Sequence, residues 1–226
     1  MTVTVAPDLA ARVAEVRERI RAAAPEPERV TLVAVTKGFG ADVVRDALAA
    51  GLVDIGESYV QELVAKAAEL GDTGTELRWH AIGRLQRNKV RKAAPRVALW
   101  HSVDRLALGE EIARFAPGAA VLVQVNVAGE AAKGGCEPAE APALVDGLVA
   151  CGLDVRGVMA MAPAGPPEGA RPVFTAARDL RDRLGLSEAS MGMTDDYEVA
   201  LSEGATIVRV GRGLFGPRPR GGGARH

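Results

Sequence analysis

Apolar residues recur along this chain in two alternating rhythms. Leu9, Val13, Val16 and Ile20 stand three or four apart with Arg and Glu between them. That spacing predicts an amphipathic helix over 8–24, stopped by Ala24-Pro25-Glu26-Pro27. VTLVAV (30–35) is a short β-branched run and predicts a strand. DVVRDALAAG (42–51) predicts a helix, VDIGE (53–57) a strand, and SYVQELVAKAAELG (58–71) a helix ended by glycine. The alternation continues through strand RWHAIG (78–83), polar helix LQRNKVRKA (85–93) and strand VALWHSV (97–103). Helix DRLALGEEIARFA (104–116) follows, with Asp104 as a candidate N-cap. AVLVQVNV (120–127) is the strongest strand. After it come helical EPAEAPALVDGLVACG (137–152), strand LDVRGVMAM (153–161), helix GARPVFTAARDLRDRLG (169–185), the short LSEAS (186–190), helix DDYEVALSEG (195–204) and a last strand, ATIVRVG (205–211).

About eight strands alternating with helices form the pattern of a parallel α/β fold. Eight such units within 226 residues suit a closed (β/α)8 barrel of the TIM type. An open doubly wound sheet is the runner-up, and no GxGxxG follows the first strand to favour it. The barrel is expected to occupy 1–216. The basic, Gly- and Pro-rich segment 217–226 reads as a disordered tail.

Composition narrows the function classes. The formal net charge is -1, which lends no support to a general nucleic-acid or membrane-surface role. Aromatic residues make up 4% of the chain, too few for a base-stacking platform. Cys136 and Cys151, with His80, His101 and His226, offer neither a disulfide framework nor a zinc site. The first 24 residues carry charges throughout and read as neither signal peptide nor membrane span, so a cytoplasmic location is expected.

In a barrel, chemistry sits at the C-terminal strand ends. Those positions here hold Lys37, Glu57, His80, the His101–Asp104 stretch, Asn126, Ser190 to Thr194, and Arg209 with Gly211, Arg212 and Gly213. Lys37 closes an apolar strand. Partial desolvation there would lower its pKa and free its amine to attack an aldehyde. Taken alone, an ordinary solvated lysine is the better reading of that position. The segment VRVGRGLFG shifts the balance. Its glycines let backbone approach an anion, and barrels often bind phosphate on the loops after strands seven and eight. Ser190 and Thr194 add hydroxyls from the seventh loop, Thr194 where a helix is expected to begin. Helix capping and plain turning remain equally good readings of these residues singly. Together they pair an aldehyde-reactive lysine with a phosphate cradle on neighbouring strands. Pyridoxal phosphate (PLP) needs both in one pocket.

LVAVTK (32–37), DIGESYVQE (54–62), WHAIGRLQRNK (79–89), HSVD (101–104), VLVQVNVAGEAAKGG (121–135), SMGMTDDYEVALSEGAT (190–206) and VRVGRGLFGPR (208–218) occur in one order. This set resembles the pyridoxal phosphate homeostasis protein family, the barrel-only relatives of the alanine racemase N-terminal domain. The resemblance implies PLP held as a Schiff base on Lys37 and Arg209 facing the pyridine nitrogen. It implies phosphate held by Ser190, Thr194 and the Gly211–Arg212 backbone, with His80 in a pocket-lining motif. Ser58 stands where the family usually has Asn, and Arg212 where it usually has Thr. Ser58 retains one hydrogen bond with shorter reach, and Arg212 can add a charge-assisted phosphate contact.

Racemisation needs a second base, which the racemases draw from a separate C-terminal domain. Only Tyr59 and Tyr197 are present, both in expected helices. The favoured expectation is therefore a monomeric PLP carrier, without turnover, that buffers the cofactor or delivers it to apo PLP-dependent enzymes. A PLP-dependent amino-acid racemase is the alternative. A nucleic-acid or protein-binding module is a third reading. It rests on RLQRNKVRKAAPR (84–96), with six basic residues and no acid, for which a solvated helix face is the better account.

Overall fold

A computed structural model of the protein describes residues 7–130 and 134–218. Eight parallel strands close in chain order into a barrel. They are β1 (Thr31–Val35), β2 (Asp54–Glu57), β3 (Arg78–Ala81), β4 (Val97–Val103), β5 (Ala120–Gln124), β6 (Asp154–Met159), β7 (Glu188–Met193) and β8 (Ile207–Val210). β8 pairs back onto β1, with Val33 opposite Arg209. The expected barrel is thus the observed one, and the runner-up open sheet is excluded.

Helices cover the outside: α1 (Pro7–Ala23), α2 (Ala41–Ala49), α3 (Val60–Leu70), α4 (Arg87–Ala93), α5 (Leu106–Phe115), α6 (Ala141–Ala150), α7 (Arg171–Arg183), α8 (Tyr197–Ser202) and the short α9 (Arg212–Phe215). The apolar stripe Leu9, Val13, Val16 and Ile20 is buried, as its spacing requires. That face sets α1 against α8 and α9. Side chains alternate across each strand, so one set packs under the helices and the other fills the barrel. The inner set includes a separate apolar cluster of Val33, Leu99, Leu122, Met159 and Ile207.

The structure corrects several expected boundaries. β7 starts within the short LSEAS segment and runs on to Met193, through residues expected in a loop. Its Ser-Met-Gly-Met end has little β-branched character to betray it. α8 starts at Tyr197 with Asp196 at the N-cap, so Thr194 lies in the preceding turn and does not begin the helix. Asp104 is not the N-cap of α5. Arg105 holds that position, and the Asp104 carboxylate pairs with the Arg105 guanidinium. α9 was not expected, since four residues are too few to show a helical period. Pro217 and Arg218, expected in the tail, pack at the mouth of a cavity described below. The remainder of the expected tail, 219–226, lies outside the described residues, as do 131–133 within the VLVQVNVAGEAAKGG motif.

Candidate functional site

Strand alternation brings Lys37 to the barrel mouth. Thr36 turns outward and donates its hydroxyl to Glu57 Oε1 at 2.6 Å, so the next side chain faces the opening. The backbone on both sides of Lys37 is tied down by α3. Lys66 Nζ donates to the Thr36 carbonyl at 2.7 Å, and the Gly38 N–H donates to Glu62 at 2.7 Å. Lys66 itself is buried and ion-paired with Glu57. Gly38 has a φ of +79°, a left-handed turn that glycine adopts without a steric penalty.

Lys37 lines a cavity of about 490 Å³, a size typical of small-molecule sites. Phe39, Ile82, Met193, Thr194, Asp195, Arg209, Gly211, Arg212 and Arg218 line it as well. Burial pushes the Lys37 pKa below the ordinary lysine value, and the positive charges of Arg218 and Arg209 push it the same way. More of its amine is therefore neutral and nucleophilic at a given pH. Arg209 is only 5% exposed. Burial pulls its pKa down to about 10, so its guanidinium stays charged at neutral pH.

The loops after β7 and β8 meet at this mouth. The Gly213 N–H donates to Thr194 Oγ1 at 3.3 Å, and the exposed Arg212 guanidinium pairs with Asp195. A Cβ at position 211 would lie 3.1 Å from the Val35 carbonyl oxygen, so glycine lets β8 approach β1 here. The cavity is rich in positive charge, with Lys37, Arg209, Arg212 and Arg218 against Asp195. An amine nucleophile and a phosphate-sized anion fit it together.

Five of the expected site residues thus share one cavity: Lys37, Thr194, Arg209, Gly211 and Arg212. Three stand elsewhere. Ser190 is fully buried inside the barrel, where its hydroxyl accepts from Arg209 at 2.6 Å and bonds His101 Nδ1 at 2.9 Å. It belongs to the barrel interior on β7 and does not line the cavity. His80 is also buried and bonds His101 and Asp54, not the cavity. Ser58 is half-buried on the loop after β2, with its backbone against Gly83. The cavity residues absent from the sequence reading include Phe39 and Arg218. Arg218 ends the VRVGRGLFGPR motif and Phe39 lies two residues past LVAVTK, and those positions were the only signals for them.

A second cavity, of about 310 Å³, opens at the other end of the barrel beside Val30, Ser187 and Thr206. That face carries stability, not chemistry, in barrel proteins. No residue of the basic run 84–96 lines the main cavity, and Arg87 faces Glu111 at 3.7 Å. Among the described residues no group of acids, cysteines and histidines is arranged to hold a metal, and no helix is long and apolar enough to cross a membrane.

Fold and site together define a class: barrels that set a partly desolvated lysine just after the first strand, in one cavity with a buried arginine from the last. The chain matches the family model described as "Alanine racemase, N-terminal domain" over residues 8–219. It is 43% identical to the pyridoxal phosphate homeostasis protein of Pseudomonas aeruginosa, with 96% of this chain and 97% of that one covered. The corresponding Escherichia coli K12 protein is 38% identical, over 93% and 97% of the two chains. The solved structure of PipY from Synechococcus elongatus PCC7942, with PLP bound, superposes with a TM-score of 0.83 at 37% identity, covering 92% of this chain and all of that one. Clostridium difficile alanine racemase shares the fold at 15% identity and a TM-score of 0.70, over 95% of this chain and 58% of the racemase. This chain belongs to the pyridoxal phosphate homeostasis protein family.

Proposed function

We propose that this protein binds PLP covalently through Lys37 and serves PLP homeostasis by holding and releasing the cofactor without turning over a substrate. The observation that carries this reading is the meeting, in one cavity, of a pKa-lowered Lys37 with the charged Arg209 and with Thr194 and Gly211. The Lys37 amine would condense reversibly, with loss of water, with the aldehyde that PLP would supply when bound. The residues present fit such a group. Lys37 would offer the amine, Arg209 would serve the ring nitrogen, and Thr194, Gly211 and Arg212 would hold the phosphate end. A buried guanidinium donates hydrogen bonds and has no acceptor, so it suits an unprotonated ring nitrogen. That state is a weak electron sink, in keeping with storage.

The cavity lining supports a carrier over a racemase. Among the described residues it contains neither tyrosine nor histidine to act as a second base. Tyr197 is buried in the core and Tyr59 is 60% exposed outside the cavity. The same reading extends to a cytoplasmic monomer that passes PLP to apo PLP-dependent enzymes.

The test is chemical trapping. The full chain is incubated with PLP, reduced with borohydride and digested. A phosphopyridoxyl mass on the Lys37 peptide, absent in Lys37→Ala, is the expected result. Wild type without any adduct overturns the reading. Production of D-alanine from L-alanine well above the rate of free PLP overturns the carrier half of it.

A further inference from the structure

The barrel interior holds a line of polar side chains that starts at Arg209 in the cavity wall and runs away from the cavity. Arg209 Nη1 donates to Ser190 Oγ at 2.6 Å. Ser190 Oγ bonds His101 Nδ1 at 2.9 Å, His101 Nε2 bonds His80 Nδ1 at 2.8 Å, and His80 Nε2 bonds Asp54 Oδ1 at 3.0 Å. Asp54 is clasped from outside by Arg78, at 2.6 and 2.5 Å through two nitrogens. Ser190 and His101 are fully buried and His80 is 4% exposed, whereas the Arg78 side chain is 59% exposed at the start of β3. The line therefore joins the cavity wall to solvent at the opposite end of the barrel.

Donor counting fixes its polarity. Ser190 accepts from Arg209 and has one hydroxyl proton to place, and His101 Nδ1 is the acceptor within reach. His101 then carries its proton on Nε2 and donates to His80 Nδ1. His80 carries its own on Nε2 and donates to the Asp54 carboxylate. Every group is satisfied, and both rings are neutral. In the reverse order His101 Nδ1–H would donate to Ser190, leaving the hydroxyl proton without an acceptor among these partners. It would also require both nitrogens of His80 to be protonated, which puts a further charge in a buried site. All the bonds thus run one way, from Arg209 to Asp54.

We propose that Asp54, His80, His101 and Ser190 form a one-directional hydrogen-bond relay that positions Arg209 for the cofactor ring. A carboxylate at the far end sets each tautomer in turn. The last link presents Arg209 with an acceptor oxygen and so fixes its guanidinium, together with the Ala160 carbonyl at 3.2 Å. His80 is then a positioning residue three hydrogen bonds removed from Arg209. This inference rests on the PLP reading above for what Arg209 faces, but the relay itself is a property of the unloaded chain.

Two measurements test it separately from PLP binding. In unloaded wild type with 15N-labelled histidine, NMR at neutral pH is expected to show His80 and His101 as neutral rings protonated on Nε2. A proton on Nδ1 of His101, or a charged His101 ring, overturns the relay. In the PLP-loaded full chain, Ser190→Ala removes one link with almost no change of volume. A shift of the visible absorption band is expected while the borohydride-trapped mass on Lys37 is unchanged. His80→Leu is expected to shift the band in the same direction by less. Trapped adduct with an unmoved band in Ser190→Ala overturns the relay and leaves PLP binding standing. Absence of adduct in wild type is the separate failure of the PLP reading.

Discussion

Lys37 shows how little a single residue declares by itself. Its pKa is lowered first by burial and then by Arg218 and Arg209, two charges far away in sequence. Removing a positive neighbour raises a lysine pKa, which reduces the neutral amine at a given pH. Arg218→Ala is therefore expected to slow PLP capture at neutral pH several-fold and to move the midpoint of the capture-rate profile upward. Stopped-flow absorbance across pH reads both. An unmoved midpoint would remove Arg218 from the account. Lys37 became legible only through its pairing with the glycine-rich segment after the last strand and through the family resemblance, which also supplied the role expected of Arg209. The sequence misplaced Ser190, since a serine beside a Gly-Met pair looks like loop until the strand is seen to continue. Asp54 carried no signal at all. It stands at the start of its strand, where barrel chemistry is not sought, and the pairing of β2 with β3 brings it within reach of His80.

At the scale of elements, the apolar pattern marked seven of the eight strands, and β7 showed only as the short LSEAS segment. The strand is held there by its neighbour instead of by its own propensity. β6 and β7 approach so closely that a Cβ at Gly157 would lie 1.9 Å from the Glu188 carbonyl oxygen. The obstacle is backbone, which cannot swing aside as a side-chain end can. Gly157→Ala is expected to cost about 3 kcal/mol by overpacking. Urea unfolding monitored by circular dichroism measures it. A loss below about 1 kcal/mol would show that the β6–β7 seam yields easily. Because Ser190 lies on the same strand, opposite Met159 of β6, the variant is also expected to disturb the support of Arg209. Helix ends were less legible than helix cores. Asp104 looks like a cap by type, but its carboxylate is engaged by Arg105.

The barrel closes where the first and last strands of the chain meet, and the proposed cofactor site straddles that closure. Lys37 follows β1, Gly211 and Arg212 follow β8, and Thr194 follows β7. A ligand bonded to Lys37 at one end and held by Thr194 and Gly211 at the other ties together strands that no short loop connects. Unfolding must break that tie, so PLP is expected to stabilise the whole molecule by mass action. At a free concentration one hundred times the dissociation constant the gain is about 2.7 kcal/mol. For a chain of this size each kcal/mol raises the thermal midpoint by roughly 2–4 °C, so a rise of about 5–11 °C is expected. Lys37→Ala retains the basic mouth but not the covalent bond, and its smaller rise should fade as salt screens the charges. Location distinguishes this closure from general tightening. Hydrogen exchange should slow on PLP addition in β1, β7 and β8, and little in β3 to β5 on the far wall. Protection gained evenly around the barrel, or no rise in the midpoint, would mean that the cofactor does not bridge the ends of the chain.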